Sequence, residues 1–171
     1  NKMVSVNGII VEKPSYRVTK TADIQILERL PYVSRGGLKL EAALRNFKIH
    51  PAGWICCDVG ASTGGFTDCL LKHDAHKVYT IDVGTAQLHP TLRHDHRVIM
   101  KEKQDIRGIT CFPDTLDFVV VDLSFVSILH CLPAIAQFLL PFKPVVVLLK
   151  PQFEIGNLGM RRAKVPLGTL R

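Results

Sequence analysis

Charged and glycine residues recur in this chain at the ends of apolar runs, which is where a ligand can be met without breaking a core. The most informative stretch is Asp58-Val59-Gly60-Ala61-Ser62-Thr63-Gly64-Gly65-Phe66-Thr67. A glycine-rich turn between a strand and a helix lets backbone approach a ligand closely. Asp58, Gly60, Ser62, Gly64, Gly65 and Phe66 are therefore candidate contacts for a dinucleotide, a phosphate or an adenosine-type cofactor. The loop has no lysine followed by Ser or Thr, which argues against a nucleotide P-loop, and it lacks a strict G-x-G-x-x-G spacing.

A second apolar run ends in Ile81-Asp82-Val83-Gly84, about 20 residues beyond the glycine turn, where an acid can accept hydrogen bonds from ribose hydroxyls. Asp105, in Lys103-Gln104-Asp105-Ile106, either faces an adenine edge or caps a helix. Asp122 and Lys150 close two further runs, Phe118 to Val121 and Val145 to Leu149. A charge following such a run costs stability unless it is paired or wet, so both are candidates for a site and also for a structural ion pair.

The elements that must carry these residues can be read from periodicity. Trp54–Val59, Lys77–Val83, Arg97–Lys103, Leu116–Leu123 and Pro144–Leu149 read as strands, with helices expected over Phe66–His73 and Ile128–Leu140. Runs such as Phe118-Val119-Val120-Val121 are apolar on both faces, as strands of a parallel sheet covered by helices on both sides must be. The fold class is α/β, doubly wound and Rossmann-like. Ahead of the sheet, Ser34 is expected to cap a helix whose apolar side comprises Leu38, Leu40, Ala42, Ala43, Leu44 and Phe47. Near the start, Val4–Val6 and Ile9–Val11 flank Asn7-Gly8, the pattern of a hairpin with a type I′ turn. Asp23–Leu27 reads as another strand. This makes three parts: a β segment over 1–30, a linker and first helix over 31–53, and the α/β domain over 54–171.

Composition narrows the classes. No apolar run reaches the ~18–20 residues of a membrane span, and the chain opens on Asn1-Lys2-Met3-Val4 without a signal-peptide core. The five cysteines form no C-x-x-C pair, and Cys56, Cys57, Cys69 and Cys131 are expected to be buried thiols in a reducing, cytoplasmic setting. No residue is assigned to a metal. The net charge is +7. Residues 1–50 hold nine Lys and Arg against four Asp and Glu, whereas residues 51–160 hold nine against eleven. A basic N-terminal end beside a near-neutral centre suits a polyanionic partner.

Four segments together carry a family resemblance: Tyr32-Val33-Ser34-Arg35-Gly36-Gly37-Leu38-Lys39-Leu40-Glu41-Ala42-Ala43-Leu44, the glycine turn from Asp58 to Thr67, Asp82-Val83-Gly84-Thr85-Ala86-Gln87-Leu88, and Lys150-Pro151-Gln152-Phe153-Glu154. They resemble the TlyA family, labelled haemolysins and described as FtsJ-like rRNA 2′-O-methyltransferases. The likeness runs from Val4 to about Gly156, and Val6 to Pro14 is similar to the second half of an S4 RNA-binding domain. The resemblance implies S-adenosyl-L-methionine as cofactor and ribosomal RNA or ribosomal subunits as partner, with a cytidine ribose as target. It also places members of a Lys-Asp-Lys-Glu catalytic set on Lys39, Asp122 and Lys150. Glu154 belongs to the lysine motif itself and is not the fourth member.

Five strands are found where the family sheet has seven, so the resemblance further implies a shortened form with little activity. It also implies an exposed fifth strand able to self-associate. A membrane-active haemolysin, an inactive RNA- or cofactor-binding module and a nicotinamide-dependent oxidoreductase are the competing classes. The first lacks any strongly amphipathic basic helix, and the last is disfavoured by the glycine spacing.

Overall fold

The computed structural model describes residues 4–13, 15–27 and 30–154. The chain divides into two compact units, Asn1–Pro31 and Tyr32–Arg171. In the first, β1 (Val4–Val6), β2 (Ile9–Val11) and β3 (Ile24–Ile26) form an antiparallel sheet in the order β2-β1-β3. Val6 pairs with Ile9 across a two-residue turn. Asn7 and Gly8 both take positive φ, 50° and 78°, as a type I′ turn requires. The Asn7 side chain also accepts a hydrogen bond from the Asp23 amide at 2.9 Å, which fixes the approach of β3.

The second unit carries a five-stranded parallel sheet, in the order β6-β5-β4-β7-β8. Its strands are β4 (Ile55–Val59), β5 (Lys77–Asp82), β6 (Val98–Glu102), β7 (Phe118–Val121) and β8 (Val145–Val147). Side chains alternate across a strand, and the core divides accordingly. Cys56, Val78, Phe118 and Val120 pack on one face with Leu40, Leu44 and Leu70. Cys57, Tyr79, Ile81, Val119 and Val121 pack on the other with Ile106, Ile128 and Ile135. The first face is covered by α1 (Gly36–Phe47) and α2 (Gly65–Lys72). Its closing polar contact is Asp68, which accepts a hydrogen bond from the Val33 amide at 2.8 Å and pairs with Lys72 at 3.0 Å. Two short helices, α3 (Pro90–Arg93) and α4 (Leu132–Ala136), lie between strands, and α5 (Pro151–Glu154) follows β8.

Three local expectations are corrected. The helix expected over 128–140 is a 3-10 turn at Ile128–His130 followed by the five residues of α4. Pro133 sits in the first turn of α4, where its missing N–H does no harm. Beyond it Leu139 pairs in parallel with Leu116, and the Leu140 amide donates to the Leu116 carbonyl, so the chain is drawn out as an extension of the sheet. Ser34 does not cap α1: the cap position is Arg35, without a side-chain hydrogen bond. The buried face of α1 is Gly37, Leu40 and Leu44, with Leu38 and Phe47 exposed. Glycine is needed at position 37 because a Cβ there would overlap the Tyr32 ring. Among the described residues β8 is the terminal strand of the sheet, paired only with β7, with Val145, Val146 and Val147 half-buried and Leu149 exposed. Cys56, Cys57, Cys69 and Cys131 are buried free thiols, and Cys111 is exposed. No helix among the described residues is long and apolar enough to cross a membrane.

Candidate active site

Ligands of open α/β sheets gather outside the carboxyl ends of the strands. Here two adjoining hollows open at those ends. One, of about 460 Å³, is lined by Arg35 and Lys39 of the α1 entry, by Asp58, Gly60 and Phe66, and by Asp122. The other, of about 480 Å³, runs from Gly60 and Ser62 past Asp82 to Asp105 and Ile106, and is walled by Asp122 and Phe125. Gly60, Ser62 and Asp122 border both, so the two form one cleft around the glycine turn.

The turn itself is shaped by close approach of backbone. Gly60 has φ 86°, and a Cβ on it would lie 2.6 Å from the Asp122 carbonyl oxygen. Glycine is required here by the neighbouring strand end, before any ligand is considered. Gly64 also has positive φ and caps α2, and a Cβ there would strike Leu88 and Leu92; it lines neither hollow. Gly65 is pressed against Ser34 and the start of α1, which locks the two helix entries together. Ser62 stands at φ 48°, a conformation costing a non-glycine residue roughly 1–2 kcal/mol. Asp82 holds it there. One Asp82 oxygen accepts from the Ser62 amide at 2.7 Å, and the other from the Gly84 amide at 2.8 Å.

Asp58 follows the parity of Cys56 and faces α2, where it is fully buried. The Thr67 hydroxyl donates to its Oδ2 at 2.6 Å, while Oδ1 has no partner. Burial pushes this carboxyl up to about 7, against the lowering effect of the Thr67 hydrogen bonds and with help from the charges of Asp122 and Asp82. Phe66 is likewise largely a core residue that shows an edge to the first hollow. Asp105 caps the 3-10 turn at Ile106–Gly108 and pairs with Arg107 at 2.6 Å. Hydrogen bonding from Arg107 holds its carboxyl below the usual range. It borders the second hollow while serving as a cap.

Asp122 and Lys150 meet. The Lys150 ammonium lies 2.7 Å from Asp122 Oδ1, a charge contact without the alignment of a linear hydrogen bond, and donates to the Ser124 hydroxyl at 2.7 Å. Lys39 stands at the first hollow with Asp122. Among the described residues no cluster of His, Cys, Asp or Glu is placed to hold a metal. Sequence reasoning missed Ser124, which touches the lysine, and Arg35, which lines the hollow; neither follows a periodic pattern or a charge run.

A family model described as FtsJ-like methyltransferase matches residues 32–165. The chain belongs to the FtsJ-like methyltransferase family. It is 46% identical over 154 residues to hemolysin A of Brachyspira hyodysenteriae, covering 88% of this chain and 64% of that one. It is 41% identical over 158 residues to the 16S/23S rRNA (cytidine-2′-O)-methyltransferase TlyA of Mycobacterium tuberculosis, covering 90% and 59%. A solved hemolysin-named protein from Streptococcus thermophilus superposes with TM-score 0.75 at 42% identity, covering 90% of this chain and 58% of that one. In fold alone, the chain matches an S-adenosylmethionine-dependent methyltransferase from Mesorhizobium loti, with TM-score 0.53 at 19% identity over 62% of this chain and 50% of that one. The FtsJ-like sheet is thus a Rossmann-like methyltransferase sheet. The chain spans 59–64% of the length of these two curated relatives.

Proposed function

We propose that this chain forms the cofactor-binding and reactive centre of an S-adenosyl-L-methionine-dependent rRNA ribose 2′-O-methyltransferase acting on cytidine in the cytoplasm. The observation that carries the reading is the Asp122–Lys150 pair, set at the rim of a cleft whose other borders are the glycine turn and Asp82. A hollow of about 480 Å³ falls in the range of small-molecule sites. Asp82 commits one lone pair of each oxygen to backbone amides and keeps others to accept from ribose hydroxyls. The residues therefore fit the cofactor, with Asp82 at its ribose, Asp105 and Ile106 at its base, and Gly60, Ser62 and Gly65 beside its amino-acid end.

Bound S-adenosyl-L-methionine supplies an electrophilic methyl group on a sulfonium. A ribose hydroxyl is a poor nucleophile at neutral pH, so it needs a base or an adjacent positive charge. Lys150 meets either need. Asp122 orients the Lys150 ammonium through its 2.7 Å contact. Lys39, across the first hollow, holds the ribose or its phosphate. The basic segment at residues 1–30, similar to the second half of an S4 RNA-binding domain, contacts the RNA, with residues 31–53 as the linker and first helix ahead of the sheet. The competing haemolysin reading draws only on names.

The test is methyl transfer from tritiated cofactor to ribosomal subunits, with cofactor binding measured alongside. Lys150→Ala and Asp122→Ala should each abolish transfer, while cofactor affinity stays within about tenfold, because these residues serve the reacting atoms and Asp122 forms only part of the cofactor hollow's wall. Near-normal turnover in either variant refutes its role.

A further inference from the structure

The function proposed above leaves Glu154 without a task, although it closes the Lys150-Pro151-Gln152-Phe153-Glu154 segment. Its carboxylate is committed at both oxygens. Oε2 accepts from the Ser127 hydroxyl at 2.6 Å, and Oε1 accepts from the Ile128 amide at 3.1 Å. Ser127 is buried, with 3% of its surface exposed, and its hydroxyl also accepts from the Leu129 amide at 3.3 Å. Ile128 belongs to the core on that face of the sheet. Glu154 thus grips the point where the loop after β7 returns to the core.

That loop begins at Asp122. Its two ends and the two ends of the Lys150–Glu154 turn are joined pairwise. Lys150 meets Asp122 and Ser124, and Glu154 meets Ser127 and Ile128. One helical turn fixes the spacing of the two anchors, with the Phe153 amide donating to the Lys150 carbonyl at 2.9 Å. The Lys150–Asp122 pair is about one-quarter exposed on each side. An ion pair that wet contributes little rigidity by itself. The carboxylate of Glu154, bonded to a buried hydroxyl and a backbone N–H, makes the stronger anchor.

We infer that Glu154 is a positioning residue: by clasping Ser127 and Ile128 it holds the Asp122–Lys150 pair in register for methyl transfer. The inference rests on the function proposed above. Phe125 supports it. Its φ of 67° is unfavourable for a non-glycine residue, and its ring meets Phe153 at 5.2 Å. A loop held in that conformation needs restraint at both ends.

The experiment compares Glu154→Ala, Glu154→Gln and Ser127→Ala in the full chain by hydrogen–deuterium exchange, cofactor titration and methyl transfer. Glu154→Ala should raise exchange at residues 123–130 by about tenfold or more, as the clasped amides open locally. Cofactor affinity should stay within about threefold, and kcat should fall on the order of 10- to 100-fold at unchanged cofactor KM, the pattern of an interaction used in the transition state. Glu154→Gln keeps an acceptor for the Ile128 amide and reverses the Ser127 contact, its Nε2 donating to the hydroxyl oxygen, and should restore most of both readouts. Ser127→Ala, which removes one contact, should fall between and serves if Glu154→Ala does not fold. Unchanged exchange in the alanine variants overturns the inference, as does faster exchange with normal kcat. If the parent chain neither binds cofactor nor transfers a methyl group, the proposed function fails, and the clasp is judged on exchange and on rescue by glutamine.

Discussion

Replacing Asp58 with Asn isolates the energetic consequence of a carboxyl buried under the glycine turn. Asp58 is fully buried and bonded only through Oδ2, to Thr67. Its pKa is raised from an ordinary 3.8 to about 7, chiefly by burial. A carboxyl whose pKa is higher in the folded state binds its proton more tightly there. Its contribution to stability is therefore fully present below pH 4 and is lost as the pH rises through 7. A tenfold difference in proton affinity between the folded and unfolded chain is worth about 1.36 kcal/mol. Between pH 5 and pH 8 the parent protein should lose roughly 2–3 kcal/mol of folding stability from this group alone. Asn keeps an acceptor for the Thr67 hydroxyl and does not ionise, so the variant should lack that loss. Asp95 and Asp105, held down by hydrogen bonds from Arg97 and Arg107, titrate below this window in both proteins and cancel in the comparison. The assay is denaturant unfolding of both proteins at half-unit steps from pH 5 to pH 8. The stability of Asp58→Asn relative to the parent should climb from pH 5 to about pH 7 and level off above it. A difference that stays flat across the window would show that Asp58 is ionised throughout, and that burial does not hold its proton.

Gly60→Val places side-chain atoms against the Asp122 carbonyl and demands an unfavourable φ, so the ends of β4 and β7 must part. We expect a loss of roughly 2–4 kcal/mol in unfolding free energy together with cofactor binding; a parent-like unfolding midpoint would contradict this. Asp82→Ala frees the Ser62 and Gly84 amides and should weaken cofactor binding by about 1–3 kcal/mol in isothermal titration, with unchanged affinity counting against the pocket. Charge reversal at Lys13, Arg17 and Lys20 should weaken RNA binding and flatten its salt dependence, because fewer counterions are then released. Binding that ignores salt would remove the first unit from the RNA contact.

The sequence shows the strands of the sheet and the turn at its centre because their signals are local and redundant. Phe118 to Val121 is apolar at every position, which only a strand covered on both faces tolerates, and Asn7-Gly8 permits few alternatives to a type I′ turn. The expected helix over 128–140 failed because its apolar spacing fits a helix and a half-buried extended segment alike. What decides is the long-range pairing of Leu139 with Leu116, invisible in a window of a dozen residues. The helix α1 failed in detail for a similar reason: Tyr32, four residues before it, selects Gly37 as part of the buried face.

At the site, residue type identified the acids and the lysine, but not which partners each one bonds. Asp58, Asp82 and Asp105 read alike as acids near strand ends. In three dimensions one is a buried acid on Thr67, one staples two backbone amides, and one caps a turn on Arg107. The distinction is set by strand parity and by which amides the chain happens to leave unpaired, quantities that exist only once the sheet is assembled. The same holds for Glu154. From the sequence it is the last letter of a lysine motif, and only the return of the β7 loop past Ser127 and Ile128 gives its two oxygens partners. A motif of five residues thus carries the lysine at one end and a doubly bonded carboxylate at the other, one helical turn apart. That spacing ties the placement of the lysine to a loop nearly thirty residues earlier in the chain.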